Sequence, residues 1–243
     1  MQNFFSRRTE NGIIHLDENE SAHAVRVLRL REGDIIRVFD GQGSIFRARI
    51  VRAHARHTEA VAEEKEYYPQ RAAWHLHLAV APTKNIERFE SFLEKVTEAG
   101  VDEITPLLCE RSERKKLRHD RLERLLVAAM KQSMQPFLPH LHPLTPLKDF
   151  LSNPPGGDRL IAHCCEYDDP QRRHLYDSIT TTRITILIGP EGDFSLREIE
   201  EARGVGFSTI SLGTSRLRSE TAGIAAAIIT AAKFRNPEKE KPG

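Results

Sequence analysis

Hydrophobic and polar residues follow two different rhythms along the chain. In the first seventy residues apolar positions are short-paced. "GDIIRVFDGQGSIFRARIVRA" holds two β-branched runs around Asp40-Gly41-Gln42-Gly43, the signal of a β-hairpin. The preceding "ENESAHAVRVLRLREGD" predicts a short helix from about Ser21 to Arg29, closed by Gly33. "EEKEYYPQRAA", near residues 63–73, is polar, carries a proline and loses periodicity, so a domain boundary is placed there. Beyond it strands and helices alternate. "WHLHLAVAP", "VDEITPLLC", "RLIAHCCE", "RITILIGP" and "FSTISLG" read as strands. "NIERFESFLEKVTEAG" reads as a helix with Ile86, Phe89, Leu93 and Val96 on one face and Gly100 as its stop. "HDRLERLLVAAMKQSM", "SLREIEEARG" and "TAGIAAAIITAAKFR" are further helices. This alternation predicts an α/β fold with a mostly parallel sheet and helices on both faces. The expected organisation is a β-rich domain over 1–70, an α/β domain over 71–236, and a polar, proline-bearing tail over 237–243 that frays.

Composition narrows the setting more than the function. The 243 residues, 39% hydrophobic and 29% charged, suit a globular protein of one large or two small domains. A net charge of +1 means that any nucleic-acid footprint must be local. Two local concentrations exist. Ten of the eleven basic residues in 1–70 are arginines, with Arg26, Arg29 and Arg31 close to His23 and a second group at Arg47, Arg49, Arg52 and Arg56. The run "ERSERKKLRHDRLER" (110–124) holds seven Lys/Arg against four acids. Both are read as phosphate-contacting surfaces. No apolar run has membrane-span length and "MQNFFSRRTENG" has no apolar signal core, so no membrane association is expected. Cys109, Cys164 and Cys165 make no disulfide framework and fit a reducing cytoplasm.

In open α/β sheets ligands bind outside the carboxyl ends of the strands, which directs attention to "HCCEYDD", "GPEGDF" and "LGTSRLRSET". No dinucleotide fingerprint or P-loop is present. In "GPEGDFS" the glycines Gly189 and Gly192 are expected to take backbone angles closed to other residues, Pro190 to stiffen the turn, and Ser195 with Glu198 to form a capping box. Glu191 has little evident structural work there and is read as a partner for a cation or a ligand. The third loop carries Arg216, Arg218, Glu220 and Thr221 and leads into a thin Gly-Ala helix that favours a site shared with the second loop. Adjacent Cys164 and Cys165 beside His163 lack the spacing of a structural zinc site. His75 and His77 are read as one face of a strand, and no metal is expected.

"ILIGPEGDFSLREIEEA" with "ISLGTSRLRSETAGIAA" resembles the signature of the SPOUT (trefoil-knotted) RNA methyltransferases, and within them the RsmE family, which methylates N3 of a uridine in 16S ribosomal RNA. The resemblance extends over "HAVRVLRLREGD", "TKNIERFESFLEKVTEAGVDEITPLLCERS" and "AAMKQS". It implies a knotted C-terminal domain, a PUA-like N-terminal barrel that binds RNA, and a homodimer whose partner completes each active site. It also implies S-adenosylmethionine held by backbone groups of Gly189, Gly192, Leu212, Gly213 and Leu217 beside Glu191, with Ala222 beneath. Ribosomal RNA, free or within the small subunit, would be the partner, contacted by His23, Arg26, Arg29, Arg111, Arg114 and Lys115.

Where the family often has an arginine before "FF" and Gly-Arg after its Gln-Ser pair, this chain has Gln2-Asn3 and Met134-Gln135, which shifts RNA contact to Arg7, Arg8 or Lys131. For catalysis, Arg218 is expected to steady O2 or O4 of a deprotonated uridine, with Glu191 orienting cofactor or base. A related enzyme acting on a ribose 2′-OH or another base, or an inactive RNA-binding protein, are the competing readings.

Overall fold

The computed structural model describes residues 1–69, 73–164 and 172–234. The predicted boundary at 70/71, Cys165 and the predicted tail at 237–243 lie outside the described residues. Two compact units divide the chain, Met1–Arg71 with Val127–Leu138, and Ala72–Leu126 with Pro139–Gly243.

The first unit is a six-stranded sheet built from β1 (Gln2–Phe5), β2 (Thr9–Glu10), β3 (Ile13–His15), β4 (Ile35–Phe39), β5 (Ser44–Arg52) and β6 (Glu59–Tyr67), in the order β1-β4-β5-β6-β3-β2. Residues from across the sheet, among them Phe4, Ile14, Val38, Ala48 and Ala60, share one buried core. The predicted hairpin joins β4 and β5. Asp40 Oδ1 accepts the amides of Gln42 (2.7 Å) and Ser44 (2.8 Å) and so fixes its turn. Two expectations need correction. The helix begins earlier, as α1 (Glu18–Ala22), because Asp17 caps it by accepting the Glu20 amide at 2.8 Å. It continues as a π-helical turn over His23–Val27 and is closed by Arg29 (φ 56°), not by Gly33, with the Leu30 amide returning to the Ala24 carbonyl at 2.9 Å. The stretch read as losing periodicity is β6 as far as Tyr67, where residues 63–67 are all exposed and so show no alternation.

The second unit is an all-parallel sheet. Its strands are β7 (His75–Val80), β8 (Glu103–Leu108), β9 (His140–Leu141), β10 (Thr145–Pro146), β11 (Asp158–Ala162), β12 (Arg173–His174), β13 (Arg183–Ile188) and β14 (Ser208–Ser211). The order is β10-β8-β7-β13-β11-β14-β12, with β9 also on β8. The helices are α2 (Ile86–Glu98), α3 (His119–Ser133), α4 (Leu147–Ser152), α5 (Leu175–Ser178), α6 (Leu196–Gly204) and α7 (Ser219–Lys233). Alternate strand residues Ala79, Leu187 and Ile161 pack under α4 and α6, in a cluster with Leu147, Ile199 and Ala202. On the other side α7 packs on α2, β7 and β13. Residues of α3 up to Leu126 belong to this unit and Val127 onward to the first, a division the sequence did not signal. No described helix is long and apolar enough to cross a membrane.

Candidate active site

The carboxyl ends of β11, β13 and β14 surround a cavity of about 280 Å³. Gly189 and Glu191 line it from the loop after β13; Leu212, Gly213, Leu217 and Arg218 line it from the loop after β14; Ala222 forms part of its floor from the first turn of α7. Ile188 and Ile210 add apolar surface. The wall is mostly apolar, with His163 and Asp193 also in it and Arg216 and Arg218 as exposed cations at its margin.

Side chains from neighbouring loops hold this wall in place. Glu191 Oε1 accepts the Lys84 amide at 2.8 Å, so the carboxylate read as having little structural work does tie the loop after β13 to the loop after β7. Arg111 Nη1 donates to the Gly192 carbonyl at 2.8 Å. Arg114 donates from Nε to the Thr83 carbonyl at 3.0 Å and from Nη2 to that of Lys84. Ser219 Oγ donates to the Gly189 carbonyl at 2.7 Å, and Asp193 Oδ2 accepts the Cys164 amide at 2.7 Å. The predicted capping box is present. Ser195 Oγ accepts the Glu198 amide at 3.2 Å and Glu198 Oε2 accepts the Ser195 amide at 2.8 Å. Glu198 Oε1 also accepts the Glu110 amide at 2.8 Å, so one buried carboxylate both starts α6 and fixes the loop after β8.

The glycines act through space rather than through backbone angle. Neither Gly189 nor Gly192 has a positive φ, contrary to expectation; the left-handed residue of that loop is Asp193 (φ 61°). A Cβ on Gly189 would lie 3.0 Å from the Phe194 nitrogen, and one on Gly192 would lie 3.2 Å from Arg111 Cβ. Gly192 therefore backs the loop against Arg111 and is not among the cavity-lining residues. Gly213 is the conformational case, at φ 137° with open space where a side chain would point. The thinness of α7 serves both of its faces. Ala222 meets the cavity, while a Cβ on Gly223 would lie 2.4 Å from the Phe92 ring of α2.

Two models of known domains match the chain. That of an RNA methyltransferase domain covers residues 70–231, and that of an RNA methyltransferase PUA domain covers residues 16–61. The chain belongs to the RNA methyltransferase family. The methyltransferase domain thus coincides with the parallel sheet and its cavity, and the PUA-like domain with the six-stranded sheet. The ribosomal RNA small subunit methyltransferase E of Rickettsia conorii is 29% identical over 225 residues, 91% of this chain and 90% of that one. A solved structure described as a probable rRNA-methyltransferase from Porphyromonas gingivalis is 37% identical, with a TM-score of 0.83 over 96% of this chain and 98% of the other. The ribosomal RNA small subunit methyltransferase E of Neisseria gonorrhoeae, solved bound to S-adenosyl methionine, is 25% identical with a TM-score of 0.78, over 93% and 95%.

Of the residues assigned to catalysis, Arg218 and Glu191 both reach the cavity of the methyltransferase domain. Arg218 forms no ion pair among the described residues. Glu220, the partner considered for it, lies 3.9 Å from Arg88 instead. The residues assigned to RNA divide. Arg111 and Arg114 have their guanidinium groups on loop carbonyls, and Arg121 pairs in bidentate fashion with Glu90 at 2.8 Å. Lys115, Lys116, Arg118 and Arg124 are exposed. In the PUA-like domain Arg47 and Arg49 are matched across strands by Glu63 at 2.7 and 2.6 Å, while His23, Arg26 and Arg29 are exposed and the two arginines have no ion pair among the described residues.

Lys131 is paired with the buried Glu20 and Arg8 with Glu10, leaving Arg7, whose guanidinium lies 5.6 Å from the Phe5 ring centroid, as the open alternative of the three. The two departures from the family pattern touch each other. Asn3 Nδ2 donates to the Lys131 carbonyl at 2.9 Å and lies 3.4 Å from Met134 Sδ. Sequence reasoning missed Arg172, which lines the cavity and donates to the Ile210 carbonyl at 3.2 Å and to that of His163. It stands in the aperiodic "DDPQRRHL", where nothing distinguishes one arginine from the next.

Proposed function

We propose that the chain transfers a methyl group from S-adenosylmethionine to N3 of a uridine in 16S ribosomal RNA. The observation that carries this reading is the cavity at the carboxyl ends of β11, β13 and β14, walled by the loops after β13 and β14, with Arg218, which has no ion pair among the described residues, at its margin. Relatives named for the small ribosomal subunit and a neighbour bound to S-adenosyl methionine support it. The cavity fits the cofactor. Its volume is at the lower end of ligand pockets, about 300 Å³ and upward, and its floor of Ala222, Ile188 and Ile210 is apolar. The nearby carboxylate of Glu191 is compatible with a cationic sulfonium. Mass-spectrometric mapping of methyluridine in 16S ribosomal RNA, from cells with and without the protein, tests the reading. Unchanged N3-methyluridine, or loss of a ribose-methylated nucleotide instead, overturns it.

S-adenosylmethionine, when bound, supplies a methyl group already activated on sulfur. The chain's own task is then to hold the acceptor and to favour its anion, because N3 of neutral uridine carries a proton. Arg218, at the N-cap of α7 and without a carboxylate partner among the described residues, stabilises negative charge on O2 or O4 of the base. Glu191 keeps Oε1 on the Lys84 amide and turns its other oxygen to the cofactor or base. Gly189, Leu212, Gly213 and Leu217 offer backbone groups to the cofactor, and Gly192 acts from behind through Arg111. Since N3 lies on the Watson–Crick edge, the target uridine is unpaired when it reacts.

His23, Arg26 and Arg29 of the PUA-like domain, with Lys115 and its exposed neighbours Lys116, Arg118 and Arg124, contact RNA phosphates. Arg111 and Arg114 contribute by shaping the loops. A trefoil passage of the chain is supported by the insertion of β13 between β7 and β11 and by the meeting of the 189–195 and 212–219 loops over one cavity. A homodimer belongs to the same reading, with Ile228 on α7 an exposed apolar residue available to it. Action on ribosomal RNA, alone or in the small subunit, places the protein in the cytoplasm.

A further inference from the structure

We propose that the amino end of the parallel sheet binds a divalent transition metal of the zinc class through His77, Glu103 and His142. The three residues offer donor atoms that all lie within 4.8 Å of one another. They come from three separate segments, β7, the start of β8, and the turn after β9. His142 Nε2 is 2.7 Å from Glu103 Oε2, and the His77 and His142 rings stack at 5.3 Å. A cavity of about 550 Å³ opens onto these side chains, with Asp149 and Thr185 also in its wall.

The donor set selects the ion. Two imidazoles and a carboxylate suit zinc, cobalt or nickel, whereas magnesium and calcium prefer all-oxygen shells. Three protein ligands leave a fourth position toward the cavity. A second layer supports the first. His75 Nε2 holds the far oxygen of Glu103 at 2.9 Å, and Thr105 Oγ1 holds His77 Nε2 at 2.7 Å. Two polar atoms in this wall, His75 Nδ1 and Thr185 Oγ1, are buried without a hydrogen-bond partner among the described residues. Metal entry between His142 and Glu103 requires their 2.7 Å hydrogen bond to open to about 3.3 Å, the separation of two ligands on a tetrahedral zinc. His142, 30% exposed, has room for that movement. The ion would crosslink β7, β8 and the segment after β9, at the end of the sheet away from the methyl-donor cavity. Its failure would therefore leave the proposed methyl transfer standing.

The test uses the untagged full chain after chelator treatment, titrated with zinc by calorimetry and with cobalt by visible absorption. One equivalent of cobalt giving the intense bands of a four- or five-coordinate site, displaced by zinc, and a higher melting temperature in zinc are expected. His142→Ala and Glu103→Gln lose the site, and His75→Ala weakens it about 10–100-fold. His142→Cys retains cobalt and adds a thiolate-to-cobalt charge-transfer band, which keeps the test decisive where the alanine variant fails to fold. The trio of half-buried His119 with exposed Asp120 and Glu123 is the competing location, and His119→Ala leaves binding unchanged. No uptake by the unsubstituted chain, uptake retained in His142→Ala, loss in His119→Ala, or cobalt bound to His142→Cys without the new band would each overturn the proposal.

Discussion

At the carboxyl ends of the sheet aliphatic residues and two glycine-bearing loops make most of the cavity wall, with arginines at its margin, whereas at the amino ends imidazole and carboxylate groups meet in one cluster. The first kind of wall is specified by what is absent, a Cβ at Gly189 or, among the described residues, an ion-pair partner for Arg218. The second is specified by what is present. A wall of backbone tolerates side-chain deletion but not side-chain addition, and a wall of ionisable side chains behaves the opposite way.

The largest effect that sharpens this contrast is expected at Arg218. Arg218→Ala should lower methyl transfer about 10²–10³-fold while cofactor affinity, measured by calorimetry, stays within a few-fold. Equal loss of both would merge binding and chemistry and break the assignment. Next is acid sensitivity at the amino end. Burial pushes the His77 imidazole down to about 4, against about 6.5 in an unfolded chain. As pH falls from about 6.5 to about 4, the unfolded chain takes up that proton and the folded one does not. The metal-free protein should therefore lose up to about 3 kcal/mol across this window and none from this group below it. Urea unfolding at stepped pH measures the slope, and His77→Gln should flatten it. Hydrogen bonds from His142 and His75 hold the Glu103 carboxyl well below the usual range, so its own contribution is lost at still lower pH.

A smaller effect concerns additions. Gly223→Ala should cost about 1–3 kcal/mol through the Phe92 clash, whereas Gly204→Ala, in open space, should stay within about 0.5 kcal/mol. Equal denaturation midpoints for the two would show that α7 is not held by that contact. Ser195→Ala should cost about 0.5–2 kcal/mol by uncapping α6. Smallest of all, Leu212→Ala should change cofactor affinity only a few-fold if the loop binds through its backbone.

Much of this arrangement was legible because it rests on local rules. The α/β alternation, the Asp40 hairpin, the Ser195–Glu198 box and the Asn85-to-Gly100 helix each depend on residues a few positions apart. The loops of the cavity were legible as a pair. What escaped depends on contacts distant in sequence. Glu191 meets Lys84, Arg111 meets Gly192 and Arg172 meets Ile210, and each changes a residue from a free charge into a clamp. His75 and His77 were placed on one strand face, yet their neighbours Glu103 and His142 come from β8 and the turn after β9, so no spacing rule could join them. The two glycines of "GPEGDF" were read as conformational because their packing partners, Phe194 and Arg111, were invisible without the fold.

The one-residue offset between Ala222 and Gly223 has a consequence for specificity. The floor of the cavity is tied to a contact of the next residue of the same helix, about 100° around its axis, where Gly223 meets Phe92. Pocket depth is thus an adjustable quantity, set from outside the pocket. Trimming the Phe92 ring would let α7 settle toward α2 and deepen the floor, and filling Gly223 would lift it. If the cavity binds the methyl donor as proposed, variants at these two positions offer a graded control over which analogues it accepts, with every cavity-lining residue left unchanged.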